Sequence, residues 1–238
     1  MRTRVVDIEM PEDFSVTPYE NIIKSIVLAR EADNHPESWH PESWREFGCA
    51  WNAVAYRFCS CAEHDVAFTE AMKRPEKFSK SHEIYIQERE LFCFFVSGMS
   101  VIESTCYALF AVGSMLDVRT FPIATPEDKR KINPEMTADK FGSAFASESI
   151  SSILQQSIGS ENYQEWKTMR NLISHRSAPP RTIFVGGEHH GEAVWGLNIQ
   201  LDEHTTNSRR KWLADTLCDV LKAAETFTAD CFVRAPGA

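Results

Sequence analysis

Between Pro75 and Pro122 the chain runs without a proline, and apolar residues recur at Ile84, Leu91, Phe92, Phe95, Met99, Ile102, Cys106, Leu109 and Val112. Proline removes a backbone donor and disfavours helix in the residue before it, so a proline-free stretch with this period admits one long helix and little else. Apolar residues also occupy its other faces, which predicts a central bundle helix over residues 83–116, packed on more than one side. Glu103 interrupts the apolar run 91–116, which argues for a buried helix rather than a membrane span.

The remaining prolines divide the rest of the chain. Residues 19–32 carry Ile22, Ile23, Ile26, Val27 and Ala29 at helical spacing after Thr17-Pro18 and before Pro36. Residues 35–44 read His-Pro-Glu-Ser-Trp twice in tandem, too short a repeat for a solenoid. This segment is expected to be a connector, with Ser43 capping the next helix and Glu46 completing a capping box. From Trp44 an apolar stripe runs through Phe47, Trp51, Val54, Phe58, Ala62 and Val66 toward Met72.

Three prolines and three basic residues mark 121–134 as a loop or short helical connector. Short helices are expected over 136–145 and 147–158, the second ending at Gly159. A further helix opens at Ser160-Glu161, with Tyr163, Trp166, Met169, Leu172 and Ile173 as its apolar stripe, and stops before Pro179-Pro180. Residues 182–201 differ, because two β-prone runs flank a Gly-rich turn and predict a hairpin-like excursion. The last helix spans about residues 207–232 and buries Trp212, Leu213, Leu217, Val220, Leu221, Ala224, Phe227 and Cys231. The expected fold is therefore mainly all-α, a helical bundle with a small β-hairpin-like insertion near 182–201. Residues 1–43 form an N-terminal helix and connector, and 44–238 the single main domain.

Charge narrows the function classes. The chain has 25 Lys plus Arg against 34 Asp plus Glu, a formal net charge of -9, which excludes coating nucleic acid by bulk electrostatics. Any polyanion site must be local. The odd count of cysteines, seven, suits free thiols in a reducing compartment. Cys59-Ser-Cys61 is one residue short of a Cys-x-x-Cys pair, and His189-His190 lies in a Gly-rich turn, so neither metal nor cofactor is expected. The first ten residues lack the apolar core of a signal peptide, and the expected location is the cytoplasm, without membrane attachment. A Gly-x-Ser-x-Gly elbow, a P-loop and a dinucleotide fingerprint are all missing from the sequence.

One basic island stands out. No Asp or Glu occurs from Trp166 through Gly187, while Lys167, Arg170, Arg176 and Arg181 do, so this stretch is the candidate phosphate-binding segment. Within it Arg170, Asn171, Ser174 and His175 cluster at a helix end. A five-residue step turns about 140° net, so Arg170 and His175 diverge, whereas Asn171, Ser174 and His175 share a face. A helix C-terminus favours an imidazolium. His175 is the candidate proton carrier, Arg170 the candidate phosphate ligand, and Asn171 and Ser174 candidate orienting groups. Lys167, Arg176 and Arg181 are the candidate substrate-binding cations.

The Arg170-x4-His175 arrangement, with Asn171 directly after the arginine, resembles the signature of HEPN domains, the helical superfamily named for its occurrence in higher eukaryotes and prokaryotes. Two other pairs, Arg30 to His35 and Arg57 to His64, match the permitted spacing. Only Arg170 combines a polar next residue, a basic neighbourhood and a helix end. The resemblance extends to the long helix around residues 88–116, where it makes Glu103 a support residue, and covers roughly half the chain. It implies a metal-independent endoribonuclease that cleaves RNA by 2′-hydroxyl attack at a site formed across a homodimer. It also implies a role in toxin–antitoxin or defence systems, with an antitoxin or other protein as partner. The reading from another class is a non-catalytic module whose basic island binds RNA, a nucleotide or an acidic protein.

Overall fold

The computed structural model describes residues 9–31, 40–74, 81–175, 180–188, 191–196 and 199–233. The fold is mainly helical, as the proline spacing predicts. Its elements are α1 (Val16–Glu31), α2 (Pro41–Met72), α3 (Ser81–Leu116), α4 (Pro126–Lys131), α5 (Pro134–Ala144), α6 (Ser149–Ile158) and α7 (Glu161–His175). Three short strands follow, β1 (Arg181–Ile183), β2 (Ala193–Trp195) and β3 (Ile199–Gln200), then α8 (Asn207–Thr228) and a terminal π-helical turn at Ala229–Val233. Among the described residues, α3 alone is long and apolar enough to cross a membrane, and 67% of its apolar window is buried inside the protein. All seven cysteines are free.

The chain divides into two compact units, Met1–Tyr56 with Val101–Ser160 and Ala214–Ala238, and Arg57–Ser100 with Glu161–Leu213. In the first, Tyr19 donates its hydroxyl to the Trp51 carbonyl at 2.9 Å and stacks on the Trp51 ring at 4.8 Å. Phe121 lies among Phe110, Phe141 and Phe145 at centroid distances of 5.2, 5.3 and 5.9 Å. Gly113 admits this cluster, since a Cβ there would lie 2.8 Å from the Phe121 ring. The connector before α5 holds α4, which opens with a true capping box, Thr125 and Asp128 each bonding the other's backbone amide.

The second His-Pro-Glu-Ser-Trp copy is folded differently from its expected capping role. Pro41 opens α2, so Ser43 lies inside the helix, where its hydroxyl meets that of Ser114 at 2.9 Å. Glu46 joins a charged knot instead, accepting from Lys129 at 2.8 Å, Arg45 at 3.0 Å and Tyr107 at 2.9 Å. Burial pushes the Glu46 carboxyl up, but these three donors outweigh it and hold the group below the usual carboxylate range. Proline is well suited to the first helical turn, which explains the earlier start. The first copy, residues 35–39, lies outside the described residues.

The α2 stripe also drifts. Phe47, Trp51, Val54, Phe58 and Ala62 are buried, but Val66 is 57% exposed, and Asp65 and Phe68 take the buried positions. Each four-residue step gains about 40° on a helix, so the steps from Phe58 to Ala62 to Val66 rotate out of the core. Phe92 on α3 is likewise exposed, at 43%.

In the second unit, Trp166 of α7 packs against Phe94 and Phe95 of α3 at 4.9 and 5.1 Å. Trp195 of β2 stacks on the same Phe95 at 6.1 Å. The predicted excursion is a three-stranded antiparallel sheet in the order β1-β2-β3, pairing Arg181 with Trp195 and Trp195 with Ile199. The run 193–201, expected as one strand, is broken at the turn beginning with Gly196. At the β1–β2 tip, Gly186, Gly187 and Gly191 adopt φ values of 94°, 77° and 85°, a region that residues with a Cβ rarely enter.

Candidate functional site

The candidate site is built on α7. Tyr163, Trp166 and Met169 are buried and form the seat, while Leu172 and Ile173 are half-buried. Fully burying a Trp and losing it to Ala costs about 3–5 kcal/mol, so Trp166 is the main anchor of this helix. Gly98 of α3 makes the close approach possible, because a Cβ there would lie 2.3 Å from the Trp166 ring.

On that seat, Asn171 and Ser174 are exposed, and position 175 shares their face by helical spacing. Arg170 sits beside the buried stripe, half-buried, with its Nε among the buried atoms. The arginine and histidine positions diverge on the helix, as the spacing requires. Lys167 is half-buried, its Nζ 5.9 Å from the Tyr163 ring centroid. The helix carries His175 in its last turn, but that side chain, Arg176 and His189-His190 lie outside the described set.

The remaining sequence-predicted residues are Arg181 and Glu103. Arg181 is drawn into the fold: its Nε donates to Glu88 at 2.9 Å, its Nη1 to Gln87 at 2.5 Å, and its side chain is only 7% exposed. Burial lowers the Arg181 pKa against the opposing pull of Glu88, and burial likewise raises the Glu88 pKa despite the nearby guanidinium. This arginine is a counter-ion for α3. Glu103 lies on the segment of α3 that belongs to the first unit, whereas α7 belongs to the second.

No family model, curated protein or solved structure significantly matches this chain.

Three polar features of the second unit were not legible as sites. Asp65, 3% exposed, binds Arg210 at 3.1 Å. Arg209 binds Glu165 of α7 at 2.5 Å through Nη2. His64 meets Glu90 at 2.6 Å, and Arg89 donates to the same carboxylate through its Nε at 2.7 Å. Burial pushes the Glu90 carboxyl up, but His64 and Arg89 outweigh it and hold it below the usual range. Within Gln87-Glu88-Arg89-Glu90 the buried members are Gln87 and Glu90, which face Ala71 and His64 of α2.

Among the described residues no group of three or more His, Cys, Asp or Glu side chains is placed to hold a metal ion.

Proposed function

We propose that this chain is a cytosolic HEPN-like endoribonuclease that cleaves RNA without a metal ion, at a site shared between two copies. The observation that supports it is the gathering of Arg170, Asn171, Ser174 and His175 on the last turns of one firmly seated helix, with Asn171 and Ser174 exposed. In the reaction the ribose 2′-oxygen attacks the adjacent phosphorus and the bond from phosphorus to the 5′-oxygen breaks. One histidine takes the 2′-hydroxyl proton, and a second gives a proton to the departing 5′-oxygen. A single chain supplies one His175, so the two-fold related copy supplies the other. Arg170 and Lys167 neutralise charge building on the phosphate, and Asn171 and Ser174 orient it.

Cleavage of structured and single-stranded RNAs in excess EDTA tests this reading, with a folded His175→Ala variant as the comparison. Activity lost in the variant supports it, and activity equal in both overturns it. In the cell such an enzyme fits a toxin or defence component restrained by an antitoxin or partner protein. Growth arrest on expression, relieved by His175→Ala, is the readout for that role.

The half-burial of Arg170 favours a second reading, a non-catalytic module that binds RNA, a nucleotide or an acidic protein. It predicts salt-sensitive binding without turnover, weakened by Lys167→Ala and indifferent to His175→Ala.

A further inference from the structure

We propose that the seam between α2 and α3 in the second unit is a phosphate-binding site, formed by Arg57, Ser60 and His64 of α2 with Ser97 of α3. The nuclease reading is not needed for it. Arg57, Ser60 and His64 recur at three- and four-residue steps and share one helix face, with about 10 Å of axial rise from first to last. Arg57 is exposed and donates to the Ser100 carbonyl at 3.2 Å, which places its guanidinium on the seam. Ser60 and Ser97 meet at 3.0 Å midway, and His64 closes the row.

His64 carries the strongest part of the argument. Its Nδ1 contacts Glu90 at 2.6 Å, and a carboxylate only accepts, so Nδ1 bears the proton. The other nitrogen, Nε2, belongs to a side chain 27% exposed, while the Glu90 side chain is 4% exposed. Burying a carboxylate to hold an imidazole costs more than an apolar pair would, and such carboxylate-held histidines gather at sites where a proton or an anion is handled. A protonated His64 offers Nε2–H, Arg57 offers its guanidinium, and the two serines offer hydroxyls. That is a donor-rich row matched to the acceptor oxygens of a phosphate.

The charged groups beside His64 are Glu63 and Asp65 on α2, the latter paired with Arg210, and Arg89 and Glu90 on α3. Glu63 projects about 100° away around α2, and Glu90 is spent on His64 and Arg89.

The experiment is an NMR titration of the His64 imidazole in the full chain with inorganic phosphate, in wild type and in Arg57→Gln, a surface change that leaves the fold intact. Phosphate is expected to shift the His64 resonances, with affinity about tenfold weaker in Arg57→Gln. His175→Ala is expected to bind phosphate as wild type does, which separates this site from the α7 cluster. A folded protein whose His64 resonances ignore phosphate, or an Arg57→Gln variant that binds equally well, overturns the proposal. Repeating the titration with a nucleoside monophosphate and a short single-stranded RNA assigns the source of the phosphate. Tighter, salt-dependent binding of the RNA assigns the nucleic-acid backbone, and equal binding of both assigns a small phosphate ester; either supports the site.

Discussion

Gly98→Ala is the sharpest test of how α7 is seated, because two ordinary effects predict opposite signs. Alanine in place of glycine inside a helix favours folding by about 0.8–1.0 kcal/mol. The new methyl, however, would lie 2.3 Å from two atoms of the Trp166 ring and 3.2 Å from the Cys61 sulfur. Ordinary carbon contacts are about 3.5–4.0 Å, so the indole must retreat by more than about 1 Å. Phe94 and Phe95 flank that indole at 4.9 and 5.1 Å, which leaves α7 to absorb the shift. Overpacking of this kind costs about 1–3 kcal/mol. The net expectation is a loss of about 1 kcal/mol, or about 2–4 °C in Tm for a chain of this size. Urea unfolding followed by tryptophan fluorescence measures it, and Trp166→Phe in the Gly98→Ala background should restore part of the loss relative to Trp166→Phe alone. A Gly98→Ala protein about 1 kcal/mol more stable than wild type would show that only helix propensity matters and that the close approach is not there.

Three further outcomes follow from the same contacts. Arg181→Ala leaves Glu88 without its counter-ion and should cost about 2–3 kcal/mol in chemical denaturation, below the figure for a fully buried pair because Glu88 is 26% exposed; an unchanged midpoint contradicts the clamp. Glu90 is held below its ordinary value, so its contribution is present above about pH 4.3 and lost as pH falls through the lower folded value; Glu90→Gln should flatten the acid limb of Tm against pH, and an unaltered limb would count against the His64–Glu90–Arg89 arrangement. Ser43→Ala removes a buried hydroxyl that meets the Ser114 hydroxyl at 2.9 Å and should cost about 1–2 kcal/mol in urea unfolding; an unchanged midpoint contradicts that contact.

The helices were legible because prolines and a 3.6-residue period act locally, which is why α1, α3, α7 and α8 fall close to their expected spans. Val66 and Phe92 escaped because periodicity gives a face and not the width of the partner covering it. The third strand depends on a turn at Gly196, and that glycine stands in a run otherwise rich in apolar residues, so its breaking role is masked by its neighbours. Of the α7 residues, Asn171 and Ser174 are exposed on the expected face, a consequence of spacing alone. The pairing of Arg181 was not legible because its partners, Gln87 and Glu88, lie 94 and 93 residues away in the chain. The Asp65–Arg210 pair spans 145 residues, and the His64–Glu90 pair spans the α2–α3 connection. Pairs of this kind carry no local signal, since each partner alone looks like an ordinary charged residue on a helix.

The central claim, RNA cleavage by 2′-hydroxyl attack with His175 as proton carrier, is tested most directly by the chemistry of the product ends. After digestion in excess EDTA, the account predicts a 2′,3′-cyclic phosphate on the upstream fragment and a 5′-hydroxyl on the downstream one, both absent with His175→Ala. Fragments bearing a 3′-hydroxyl and a 5′-phosphate would mean that water, not the ribose, attacks the phosphorus, and would contradict it.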